Sequence, residues 1–333
     1  LAESIASRRN RVGHFGSGHS NDLFGSGVFH RCMASGSKTR REAIMSATEG
    51  TFNFGTLLVG TVAVSLSVSM VLLILKRLLR GQNVVAAVSH SPVSWTGTDV
   101  CVAFMIMIGM QLGGVILIRS FVGPSIETRP VDLAASICST VFAVVCTIGF
   151  FLKRGATLSM LGLSLLHWRQ DAWRAIAGLA LVVAPLLTLA GVLDSIVPYH
   201  HPIIDFLKAH QDATVTAMIV LSAVVVVPIA EELLFRRILQ GWLETREAQR
   251  SGWEGPLPMT SYSKGWGSIA VASLCFGLAH YGQGAAWIPL TLFGMVLGWS
   301  VSQTGRLFSA ILLHGAFNCV SVVICLLQNN QAS

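Results

Sequence analysis

Eight apolar runs separated by short polar segments occupy the chain from about residue 54 to residue 327. They cover approximately 54–75, 100–118, 131–152, 175–197, 215–239, 268–282, 287–301 and 307–327. Each approaches the roughly 20 residues that a helix needs to cross a bilayer. The pattern therefore predicts an all-α protein, a polytopic transmembrane helix bundle of about eight spans. The sixth and seventh runs are short and glycine-rich, which suits close helix packing or irregular backbone inside a bundle. No internal repeat is visible.

Composition agrees with this pattern. Hydrophobic residues make up 53% of the chain and charged residues only 12%, with a mean hydropathy of +0.65. Soluble domains carry about 25% charged residues, so the bilayer is the expected solvent. The net charge of +7 raises a nucleic-acid reading, which the distribution of that charge excludes. Basic residues flank apolar runs and form no aromatic-interleaved patch. Thirteen of them (Lys76, Arg77, Arg80, Lys153, Arg154, Arg169, Arg174, Arg236, Arg237, Arg246, Arg250, Lys264 and Arg306) follow spans one, three, five and seven. The alternate side holds three, Arg119, Arg129 and Lys208. By the positive-inside rule both termini are expected outside, and the richly basic loops in the cytoplasm. Arg237 reads as an orientation residue whose charge snorkels to the interface. The seven cysteines include no C-x-x-C pair and read as small hydrophobes.

Three regions are expected. Residues 1–49 are rich in Gly, Ser, Arg and His, lack apolar periodicity, and read as a disordered polar and basic segment. They contain no apolar stretch of signal-peptide type. Their basic residues oppose the orientation rule, and Met45 opens an ordinary start, so a mis-assigned extension before Met45 is expected. Residues 50–212 hold four spans without a recognised motif, and residues 213–328 hold the last four.

The last region carries the chemistry. "PIAEELLFRR" (228–237) places two adjacent glutamates within an apolar run, where a buried charge costs from ~2.5 to more than 10 kcal/mol and usually marks function. Neighbours on a helix point about 100° apart, so Glu231 and Glu232 cannot share one task. Glu232 and Arg236 are spaced i, i+4 and can pair along one face, leaving Glu231 free to face a cavity. "FGLAH" sets Phe276 and His280 one turn apart, and "HGAFN" does the same for His314 and Asn318. A carboxylate and two histidines on different spans can meet only inside the bundle. There imidazoles can orient water, stabilise an oxyanion or bind metal, and a carboxylate can take a proton. Depth presents a difficulty: His280 lies at the far end of span six, whereas His314 lies near the start of span eight.

"EELLFR", "FGLAH" and "HGAFN" resemble, in order, the three motifs of the CAAX-protease and bacteriocin-processing (CPBP, or Abi) family, which includes the CAAX prenyl protease. The resemblance covers about residues 214–325. It implies an intramembrane endopeptidase acting on a membrane-embedded or lipid-modified protein or peptide, in the cytoplasmic (plasma) membrane of a bacterium. It implies catalytic roles for Glu231, His280, His314 and Asn318, with Glu232, Arg236 and Phe276 supporting them. Glu231, His280 and His314 would suffice for a three-ligand zinc site. Yet H-E-x-x-H is missing, and zinc-dependent and metal-free catalysis both stay open. Two other classes compete with the enzyme. One is a non-proteolytic bacteriocin-immunity or peptide-binding protein on the same scaffold. The other is a proton-coupled transporter, against which the missing repeat argues.

Overall fold

The computed structural model describes residues 54–82, 84–85, 87–122, 130–197, 212–257 and 265–329. The expectations for residues 1–49, the Met45 start included, lie outside these. Eight helices form among the described residues, with no strand beyond one isolated bridge, His90 to Leu257. They are α1 (Phe54–Leu79), α2 (Gly97–Val122), α3 (Pro130–Lys153), α4 (Trp168–Asp194), α5 (Ala213–Arg250), α6 (Trp266–Leu278), α7 (Trp287–Ser302) and α8 (Phe308–Asn329). Helix is the form expected here, because it satisfies every backbone polar group where no water is at hand. Leu72, Ile116 and Phe142 stand exposed along α1, α2 and α3, as side chains that meet lipid would. The core gathers Phe151, Leu161, Phe235, Ile238, Phe276, Phe293 and Leu313. The chain is an integral membrane protein with an all-α, polytopic bundle.

Seven of the helices are long and apolar enough to cross a membrane, α7 together with the turn Tyr281–Ala286 that leads into it; α6, with 13 residues, is not. Its position resolves the depth difficulty. Glu247, near the end of α5, accepts hydrogen bonds from the backbone N–H of Gly265 (2.9 Å) and Ser268 (3.1 Å) and from the Ser268 hydroxyl (2.6 Å). These donors lie at the N-terminus of α6, where unpaired N–H groups attract a carboxylate. At helical rise Glu247 lies roughly 20–25 Å along α5 from Glu231. The antiparallel α6 therefore starts far from Glu231 and ends beside it. The helix stops next to Glu231.

The expected fifth span, 215–239, belongs to a continuous 38-residue helix with two π segments, Ser222–Val226 and Glu232–Gln240. Hydrophobic periodicity does not report such widened turns. The first π segment precedes Pro228, which has no N–H to give to the preceding turn. The second is braced by the loop before α2: Trp95 donates its indole N–H to the Ile238 carbonyl (3.0 Å), and the Val93 N–H donates to the Thr245 hydroxyl (3.0 Å). Arg237 corrects its sequence reading. It is 3% exposed, lies over the Trp95 ring and donates to the Met160 carbonyl, so it braces the fold instead of snorkelling.

A second brace closes the other side. Asp171 at the start of α4 is fully buried and accepts two hydrogen bonds from Arg306 (2.8 and 2.7 Å) and one from Arg174 (2.8 Å). The paired geometry suits a guanidinium facing a carboxylate. It ties α4 to the turn from which α8 departs.

Candidate active site

The candidate residues lie on α5, at the end of α6 and in the first half of α8. Glu231 is the last residue before the second π segment, at the middle of α5. Its side chain is 22% accessible, whereas Glu232 is fully enclosed. The division between the two glutamates expected from helix geometry is therefore present in the structure. Glu232 places Oε2 3.3 Å from Nε of Arg236. The guanidinium of Arg236 lies over the ring of Phe276, 4.7 Å from its centroid, in a cation–π contact.

Two imidazoles converge on Glu231. Nε2 of His280 stands 3.6 Å from its Oε1, and Nε2 of His314 stands 3.7 Å from its Oε2. Both distances exceed a direct hydrogen bond, and a water placed beside the carboxylate can bond to it and to an imidazole at once. The opposite ring nitrogens are already engaged. Nδ1 of His280 lies 2.9 Å from the Phe276 carbonyl, which can only accept, so Nδ1 carries the proton. Nδ1 of His314 lies 2.8 Å from Oε1 of Glu232 and donates to that carboxylate. Each ring is thus fixed with Nε2 toward Glu231.

Phe276 is the common wall. It is fully buried, and its ring meets the edges of His280 and His314 at 5.1 and 5.7 Å between centroids. Phe293 on α7 meets His314 from another side at 5.5 Å. Phe276, which the resemblance gave as a supporting residue, packs against both imidazoles.

Asn318 sits one turn beyond His314 and points to the backbone of α5. Its amide donates to the Ala223 carbonyl at 2.8 Å. Pro228 explains why that carbonyl is available. A residue with an N–H at position 228 would bond the carbonyl four residues earlier in an α turn, or five in a π turn; these are Val224 and Ala223. Proline leaves both without that donor, and a neighbouring helix supplies one. Gly315 lets α8 come this close, since a Cβ there would lie 2.3 Å from the Val224 carbonyl oxygen. Pro228, Gly315 and Phe293 were not singled out from the sequence. A proline inside an apolar run was the one visible signal, and its meaning depends on the helix packed against it.

The donors Glu231, His280 and His314 are of the types that hold catalytic zinc. Among the described residues, however, no three His, Cys, Asp or Glu side chains are gathered as a metal site.

A carboxylate flanked by two oriented imidazoles can orient a water and take its proton. Residues 213–320 match the family model described as Type II CAAX prenyl endopeptidase Rce1-like. This stretch is Rce1-like. It runs from the first residue of α5 into α8 and contains every site residue named above. The family resemblance read from the motifs is thereby borne out, and with it the likeness to a CAAX endopeptidase. No curated protein and no solved structure matches the chain. The segment that precedes the Rce1-like region is tied to it by braces such as Trp95 to Ile238 and Asp171 to Arg306.

Proposed function

We propose that the protein is an intramembrane endopeptidase that hydrolyses a peptide bond of a membrane-bound or lipid-modified protein or peptide. The observation that carries this reading is the convergence of two imidazole Nε2 atoms on Glu231, with both Nδ1 atoms already committed. A water hydrogen-bonded to both Glu231 and Nε2 of His280 loses a proton to Glu231 as its oxygen adds to the scissile carbonyl carbon. The tetrahedral intermediate carries an oxyanion. His314 in its protonated form can donate Nε2–H to it, and the positive charge is offset by Glu232 on the other side of the ring. Collapse of the intermediate breaks the C–N bond, and Glu231 returns its proton to the departing amine. Atoms and charges balance, with one water consumed.

Glu232 and Arg236 act through His314 and do not touch substrate. Asn318 acts first through Ala223, holding α8 against the proline-widened turn of α5 and so setting the position of His314. The basic helix ends face the cytoplasm in this reading, in the plasma membrane of a bacterium.

The test is to incubate the purified full chain with prenylated and unprenylated membrane peptides in 18O-labelled water. Mass spectrometry should find a cleaved peptide with one 18O in its new carboxylate, formed faster from the prenylated peptide. Uncleaved peptides that nevertheless bind the protein favour the immunity or peptide-binding alternative.

A further inference from the structure

A cavity of about 520 Å3 opens between α1, α4 and α7, reaching Leu313 on α8. The Glu231 site contributes none of its catalytic side chains to this cavity. Along α1 its wall runs from Arg77 back to Met70, and along α4 from Arg174 to Leu181, each a depth of about 10 Å at helical rise. Arg77 lies in the last turn of α1 and Arg174 near the start of α4, so both guanidiniums mark the same end of the cavity. The deeper walls are apolar, and no acidic residue lines the space.

Charge and aromatic residues at that end narrow the choice of occupant. Asp171, the carboxylate that pairs with Arg174, also takes both hydrogen bonds of Arg306. Arg77 and Arg174 are the two charged side chains in the cavity lining, and both are cationic. Trp173, Trp266 and Trp299 line the cavity too. Indoles collect at the headgroup level of a bilayer, where one side is apolar and the other wet. Basic pockets between membrane helices suit anionic headgroups, and the volume falls in the range of small-ligand sites.

We propose that this cavity binds one anionic phospholipid, its phosphate at Arg77 and Arg174 and its acyl chain along the apolar walls toward Leu313. Leu313 precedes His314, so the bound chain packs against the segment that carries a site histidine. The proposal does not depend on the hydrolytic reading of Glu231.

The full chain, delipidated in neutral detergent, would be offered phosphatidylglycerol or phosphatidylcholine with the same acyl chains. Native mass spectrometry then counts retained lipids. One phosphatidylglycerol should remain bound, at least about tenfold in preference to phosphatidylcholine. Arg77→Glu, an exposed change in the last turn of α1, should reduce that preference about tenfold, and Ala177→Trp should displace the lipid by filling the cavity. Inorganic phosphate should compete poorly, because it lacks the chain. Equal retention of the two lipids, or retention indifferent to Arg77→Glu, overturns the proposal. Full competition by phosphate alone reassigns the site to a free anion and also overturns it. So does displacement by a prenylated peptide at equal concentration, which would make the cavity part of the substrate's path.

Discussion

Nδ1 of His314 lies 2.8 Å from Oε1 of Glu232, while the other oxygen of the same carboxylate faces Arg236 at 3.3 Å. The buried pair expected from i, i+4 spacing is therefore part of a chain that ends at Glu231. Removing one partner of a buried pair costs about 3–5 kcal/mol, whereas replacing both is often close to neutral. Glu232→Gln should accordingly lower both folded yield and kcat. Glu232→Gln combined with Arg236→Met should restore much of the yield without restoring kcat, because His314 still lacks its orienting carboxylate. Thermal melting and steady-state kinetics on the same preparations separate the two effects. Recovery of kcat together with yield would reduce Glu232 to a structural role.

Asn318 and Pro228 should be coupled although they lie on different helices. Replacing Pro228 by Ala supplies an N–H in the turn that now borrows a donor from Asn318. Asn318→Ala alone should reduce turnover by about 10²-fold, the loss expected when a site residue is misplaced by ~1 Å. In the Pro228→Ala background the same change should cost at least tenfold less. A double-mutant cycle measures this directly. An undiminished cost would mean that Asn318 works on the oxyanion and not through the backbone.

His90 gives stability a pH dependence outside the membrane-spanning helices. Burial, followed by the positive charge of Arg237, lowers its pKa from 6.5 to about 4, despite a hydrogen bond with the Val88 carbonyl that opposes the shift. The group is neutral when folded and charges more readily when unfolded. Its contribution is fully present above pH 6.5 and is lost as pH falls toward 4. Melting temperature should therefore drop between pH 6.5 and 4.5, and His90→Gln should flatten part of that drop. A variant as acid-sensitive as the parent would show that other groups govern the transition.

His280 and His314 should fail as a unit. Each alanine substitution alone should remove most activity, and the double substitution should add little, because residues of one catalytic assembly are strongly non-additive. Turnover should survive chelation in this account, since Glu231 and His280 activate the water unaided. Multiplicative losses, or chelator inactivation reversed by added zinc, would require a different assignment of the three side chains.

Much of this was legible along the chain because a membrane imposes simple rules. The long apolar helices, the Glu232–Arg236 pair and the separate orientation of the two glutamates follow from hydropathy and from helical spacing. What remained hidden depends on relations between distant segments. The position of α6 depends on Glu247 reaching Gly265 and Ser268. The second bond of Glu232 crosses 82 positions to His314, and the Trp95 bond to Ile238 crosses 143. Widened π turns leave no periodic signature, so neither segment of α5 was expected. Arg237 looked like a solvated charge because no local partner for it is visible; its partner, the Met160 carbonyl, comes from another part of the chain.

The central claim is that Glu231 takes the proton from the attacking water. Glu231→Gln keeps the size of the side chain and removes its capacity as a base. The decisive measurement is the rate of prenylated-peptide cleavage by purified Glu231→Gln protein, with melting temperature recorded on the same sample. The account predicts a parent-like melting transition and turnover reduced by at least about 10³-fold, consistent with loss of a general base and the site it organises. A folded Glu231→Gln protein that cleaves at the parent rate would contradict it.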